Sequence, residues 1–211
     1  MTLTSEKREI QTGIDGLHSS LVGLLESNST LEDAQKLAFT REVAGLVTEL
    51  SAFDDEKLFV SPAIAKSATM QAARLSQYLD QRMKLGELTN ADLDVVKSIR
   101  SNLSIAMDEI KSGSRGSKQV SANTIFQTNP SSGYRVYVIA DGFYEVFKDD
   151  LEQLIKFSDP YQKLNTPTDA KEIMSGDYRF WAKRGETVSE FQLLKIRYSS
   201  SDSVDVTVPA L

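Results

Sequence analysis

His18 is the single histidine of the chain, and Asp15 stands one helical turn before it. An imidazole and a carboxylate at that spacing can share a metal ion or relay a proton, but either task needs further converging groups. The 211 residues hold no second histidine and no cysteine, which excludes disulfides, thiolate nucleophiles, iron–sulfur clusters and thiolate-bound zinc together. His18 is therefore read as a boundary residue with its polar edge in water. Carboxylates gather at Asp54, Asp55 and Glu56, and again at Asp149, Asp150 and Glu152. Such groups suit acid–base work or oxygen ligation of calcium or magnesium, yet neither set has EF-hand spacing. Acidic residues near helix starts and in a solvated loop account for both. No serine lies in a Gly-x-Ser-x-Gly turn. "SGSRGS", from Ser112 to Ser117, places Arg115 in a Gly-Ser run. It follows a helical segment and lacks the Gly-Lys-Ser/Thr spacing of a phosphate loop, so it reads as a linker. No catalytic residue, metal or cofactor is assigned.

One stretch remains. In "YRFWAKR" the period of two puts Tyr178, Phe180 and Ala182 on one face and Arg179, Trp181 and Lys183 on the other. In "YRVYVIA" the same division sets Tyr134, Val136 and Val138 against Arg135, Tyr137 and Ile139. If the two strands share a sheet, Arg135, Tyr137, Arg179, Trp181 and Lys183 form one amphipathic patch. Aromatics beside arginine suit a partner-binding surface, because they bury much area at little entropic cost. The same residues also suit packing, with Trp181 against the helices or another sheet and the cations over the ring edge.

The elements that must carry this patch follow from periodicity. Ile10, Ile14, Leu17, Leu21 and Leu24 make one stripe of a first helix. Phe39, Val43, Leu46, Leu50 and Phe53 repeat it, after a capping signal at Ser29 and Thr30, in a helix ending near Asp54. Ser61 and Pro62 open a third helix striped by Ile64, Ala68, Ala72, Leu75 and Leu79, which Gly86 closes. Thr89 and Asp92 cap a fourth, striped by Leu93, Val96, Ile99, Leu103, Met107 and Ile110. Short connections favour an antiparallel four-helix bundle, with alanines such as Ala38, Ala65 and Ala72 letting the second and third helices approach closely. The alternative keeps one stripe for a second chain, since the spacing also suits a coiled coil.

Beyond "KSGSRGSK" the period changes to two. "YRVYVIA", "FYEVF" after a turn at Asp141-Gly142, "YRFWAKR", "FQLLKIRY" and "VDVTVP" read as strands. "DDLEQLIKF" reads as a short helix begun by Asp149, and "NTPTDAKEIMSG" as loop. The expected fold is α+β and multidomain: a four-helix bundle over 1–111, a flexible linker over 112–120 and a small, mostly antiparallel β-sandwich with a helical insert over 121–211. The order of "TPTDAKEIMSGDYRFWAKRG" and the final "VDVTVP", with Ser175, Gly176, Asp177 and Tyr178 as a small-Gly-x-Tyr turn, resembles the closing half of Ig-like or prealbumin-like sandwich modules. The regulatory modules appended to some carboxypeptidases are of this kind. The resemblance spans roughly Tyr134 to Pro209 and implies that the strand after the turn pairs with the last one. It also implies binding or packing in place of catalysis. The helical insert near Leu151 to Phe157 departs from the pattern.

Charge limits the partners. Thirty acidic against 24 basic residues, interspersed, give a net charge of −6, with no basic footprint for nucleic acid or anionic lipid. No segment approaches the roughly 18 to 20 apolar residues of a membrane span, and the opening "MTLTSEKREIQTGIDG" lacks the plan of a secretory leader, so a cytoplasmic location is expected. The expected function is a non-catalytic interaction or adaptor protein with a protein partner and homo-oligomerisation through the helices. Two alternatives are a helical membrane-remodelling or pore-forming component and a hydrolase built on dispersed carboxylates near Asp149.

Overall fold

Four long helices come first in the computed structural model, which describes residues 5–26, 31–53, 60, 62–113, 121–129, 131, 133–158, 164–197 and 203–208. They are α1 (Ser5–Glu26), α2 (Asp33–Ala52), α3 (Pro62–Leu85) and α4 (Asn90–Gly113). Of the residues read as stripes, Ile14 and Leu21 are partly buried and all the others are buried. The Ser29–Thr30 and Ser61 caps, the Asp54–Glu56 cluster and Arg115 lie outside the described residues. α2 is opened by Glu32, whose backbone N–H donates to Gln35 Oε1 at 3.0 Å in a capping box. Gly86 ends α3 with φ 68°, the left-handed backbone that glycine adopts without penalty.

Thr89 and Asp92 cap α4 as expected: the Thr89 N–H and Oγ1–H both donate to Asp92 Oδ2, at 2.6 and 2.8 Å. The other carboxylate oxygen of Asp92 takes Arg82 Nε at 3.1 Å and the Tyr78 hydroxyl. Burial, together with that hydrogen bond to Asp92, pushes the Tyr78 phenol well above its ordinary value.

Which helices touch differs from the alanine argument. α1 packs against α3 and α2, and α2 against α4, whereas α2 and α3 scarcely meet. The close approach belongs to α1 and α3, through glycine. A Cβ placed at Gly13 would lie 3.4 Å from Thr69 Cγ2 and 3.0 Å from Leu50 Cδ2 of α2, one at Gly16 3.3 Å from Ser76 Oγ, and one at Gly23 3.1 Å from Met83 Cε. α3 is also buried on further faces, at Ser67, Gln71 and Tyr78, because the second half of the chain packs there.

That half is α+β, with eight strands and two short helices described: β1 (Ser121–Thr128), β2 (Arg135–Ala140), α5 (Asp141–Phe147), α6 (Leu151–Phe157), β3 (Leu164–Asn165), β4 (Lys171–Met174), β5 (Gly176–Arg184), β6 (Thr187–Val188), β7 (Gln192–Ile196) and β8 (Ser203–Val208). One sheet has the order β4-β1-β8; the other runs β3-β2-β5-β6, with β7 also on β5. Pairing is antiparallel except between β1 and β8.

Several expectations are corrected here. "FYEVF" is helix α5, because Phe143 and Phe147, four apart, share one helical face with Tyr78 and Phe157; these ring centroids lie 4.8 to 6.4 Å apart. Gly142 makes no hairpin: its N–H donates to Ser98 Oγ at 3.0 Å, and a Cβ there would sit 2.6 Å from Ser98 Cβ. "NTPTDAKEIMSG" contributes to β3 and β4, and β1 joins them as a strand not foreseen. The pairing implied by the resemblance is absent: β5 lies between β2 and β7, and β8 pairs with β1 in the other sheet. The short helix is α6, begun by Asp150, whose carboxylate accepts from Gln153 N at 3.1 Å.

Of the stretch read as a boundary only the first two residues, Ser112 and Gly113, are described, and they continue α4. Residues on either side of it share one buried apolar cluster. Along α4 a polar row joins the helix to the sheets. Ser98 holds Gly142; Asn102 accepts from Asp177 N at 2.8 Å and donates Nδ2 to Asp177 O at 3.3 Å; Glu109 accepts from the Ser175 hydroxyl.

Candidate functional site

β2 and β5 are neighbours, and their register sets Arg135 opposite Lys183, Tyr137 opposite Trp181, and Ile139 opposite Arg179. The five residues singled out by alternation thus share one face of one sheet. Their surroundings differ along its length.

In the middle, Trp181 is 0% exposed and Tyr137 5%. The two rings stack at 5.3 Å with 13° between their planes, and Phe191 closes on Trp181 at 5.1 Å. Tyr144 of α5 lies on Phe191 at 5.2 Å. The reading of Trp181 and Tyr137 as exposed contact residues is therefore corrected: the segment expected to be a strand is a helix, and with Phe191 it covers them. At one end Arg179 is committed to the same cover. Its Nε meets Asp141 Oδ1 at 2.6 Å, its second nitrogen meets Glu145 Oε1 at 3.5 Å, and the guanidinium lies 4.9 Å from the Tyr144 ring centroid.

The other end is open. A cleft of about 390 Å³ is lined by Arg135, Tyr137, Asn165, Thr166, Lys183 and Arg184, together with Gly133, Tyr134 and Gly185. Arg184 and Thr187 pair across a two-residue hairpin loop, with φ 55° at Gly185 as such a turn requires. This turn fixes Lys183 and Arg184 at the lip. The Arg184 guanidinium lies 5.5 Å from the Tyr134 ring centroid, a cation–π contact that limits its rotamers. Arg135 Nε reaches Asn165 Oδ1 at 3.5 Å. Thr166 is fixed in the cleft wall by its N–H to Tyr134 O at 2.8 Å and by a 2.9 Å hydroxyl contact with Thr128.

The electrostatics of the two ends are opposite. Arg82, Arg100, Arg179 and Arg197 all have carboxylate partners. Among the described residues, Arg135, Lys183 and Arg184 have none, and no carboxylate or histidine lines the cleft. Two cations directly opposite in an antiparallel ladder repel at a cost of roughly 0.2–1 kcal/mol. This arrangement can hold an anion by charge-assisted hydrogen bonds.

The remaining sequence candidates do not converge. His18 is exposed on α1, and Asp15 takes its 2.8 Å hydrogen bond from Gln11. Asp149 and Glu152 are exposed, while Asp150 serves as the α6 cap. Among the described residues no group of three metal-ligating side chains gathers. Arg184, Asn165 and Thr166 were missed. The signal for Arg184 was present in "AKRGET", a dibasic pair before a hairpin glycine; Asn165 and Thr166 reach the cleft only through the β3 pairing. No protein-family model matches the chain, and comparison with curated proteins and with solved structures yields no match either.

Proposed function

We propose that the protein is a non-catalytic interaction module that takes an anionic group of a protein partner into the cleft formed by Arg135, Lys183 and Arg184. In this reading the helices are a bundle that docks or oligomerises, and the strands a small sandwich that presents the site. One observation carries it. In a chain of net charge −6, three cations line one cleft without a counter-charge among the described residues, while Arg179, on the same sheet face as Arg135 and Lys183, is engaged by Asp141 and Glu145. Keeping cations together without partners costs stability, and a ligand that supplies the missing charge gives that cost a use. The proposed site uses the Arg135 and Lys183 end of the patch read from alternation and leaves out its aromatic centre, where Trp181 and Tyr137 are buried.

The experiment compares proteins captured from the native host by the wild type and by the triple variant Arg135→Gln, Lys183→Gln, Arg184→Gln, after both show the same circular dichroism. A partner lost with the variant, and released from the wild type by raised salt, supports the reading. An identical set of captured proteins from both overturns it.

A further inference from the structure

We infer that the anion taken by the cleft is a phosphomonoester; this rests on the reading of the cleft as an anion site. The argument begins with charge. A single carboxylate brings one negative charge and leaves most of the positive charge of Arg135, Lys183 and Arg184 uncompensated. A phosphomonoester brings close to two, with three acceptor oxygens spread over a tetrahedron. Arg135 and Lys183, opposite each other on one face, offer charge-assisted donors to two of those oxygens, and Arg184 lines the same cleft from the Tyr134 side.

Geometry agrees. Directly opposite residues of an antiparallel pair hold their Cβ atoms roughly 4.5–5.5 Å apart, so Arg135 and Lys183 reach the same small polyatomic anion. Arg184 comes from the lip, its guanidinium 5.5 Å from the Tyr134 ring centroid. Asn165 accepts from Arg135 through Oδ1, and among the described residues its Nδ2 has no acceptor, which adds one neutral donor. The volume of about 390 Å³ exceeds what a phosphoryl group alone occupies, so the cleft also covers the group that carries it. That carrier is either an amino-acid side chain of a partner or a small sugar-like metabolite; the phosphomonoester is common to both.

The test is an NMR titration of the full chain at low salt with three probes: N-acetyl-phosphoserine amide, glucose 6-phosphate and N-acetyl-glutamate amide. The expected result is that at least one phosphate probe shifts the amides of Gly133, Arg184 and Gly185 and binds about tenfold more tightly than the glutamate probe. Lys183→Gln weakens that binding about tenfold, whereas the control Lys195→Gln on β7 leaves it unchanged. The groups facing the ligand are Arg135 and Tyr137 from β2, Lys183 and Arg184 from β5, and Tyr134 beside them, with no histidine or carboxylate among the described residues. Affinity for the phosphate probe therefore follows its own second ionisation near pH 6, rising about fourfold from pH 5.5 to 7.5. Phosphoserine or glucose 6-phosphate as the tighter probe identifies the carrier. Glutamate binding as tightly as phosphate overturns the phosphomonoester and leaves the anion site standing. Binding by none of the three overturns both.

Discussion

Arg135 and Lys183 face each other across a ladder with no acid between them, and a pair of that kind is held in place by the strands around it. The substitution Lys183→Glu turns the repulsion into a cross-strand ion pair with Arg135. Its expected effect is a gain of about 1 kcal/mol and a rise of about 2–4 °C in Tm, read by differential scanning calorimetry, with anion binding lost. A melting point below that of the wild type would refute mutual repulsion at this position. At this scale the sequence was informative about faces and silent about cover. Alternation of two assigned Arg135, Tyr137, Arg179, Trp181 and Lys183 to one side, and the register bears that out. It carries no information on what lies over a face, and the cover came from Tyr144 and Phe191. Five residues such as "FYEVF" are too few to separate a period of two from one of 3.6, so the helix that buries Trp181 was invisible.

The long helices were legible because four or five repeats of the 3.6-residue period accumulate where five residues do not. Their neighbours were less so. Gly13, Gly16 and Gly23 mark the tight face of α1, but a glycine row is easily read as weak helix propensity in place of a contact. The α4 row of Ser98, Asn102 and Glu109 was equally hidden, since exposed and buried polar residues look alike in sequence until a partner backbone arrives. Asn102 makes two of that row's hydrogen bonds, using both ends of its amide on the backbone of Asp177. Asn102→Ala leaves that N–H and C=O without partners beside Gly176 and is expected to cost about 2–4 kcal/mol in chemical denaturation. A loss below about 0.5 kcal/mol would show that water or a shift of β5 satisfies the strand equally well.

For the whole molecule, composition marked a joint at 112–120, and the apolar residues before and after it are buried in one cluster. α3 and α4 each bury a second face against β4, β5 and α5, so removing the sheets would expose helix surface as well as strand surface. Thermal unfolding followed by far-UV circular dichroism, dominated by the helices, and by the fluorescence of Trp181, buried in the sheet, is therefore expected to give coincident transitions. Two separated midpoints would mean that the halves hold their cores independently, as the composition shift suggested. Polar Gly-Ser runs report where the hydrophobic pattern lapses; they do not report whether the elements they join pack together.

The glycines of α1 carry a consequence for the order of assembly. With three of them in 22 residues, the segment from Ser5 to Glu26 has little tendency to be helical alone, each glycine costing about 1 kcal/mol relative to alanine. What makes it a helix is packing, against the groove of α3 from Thr69 to Met83 and against Leu50 of α2, where those glycines fit. Synthesis delivers α1 well before that groove exists. This α1 segment is therefore expected to remain largely coil until α2 and α3 are both available to pack against it.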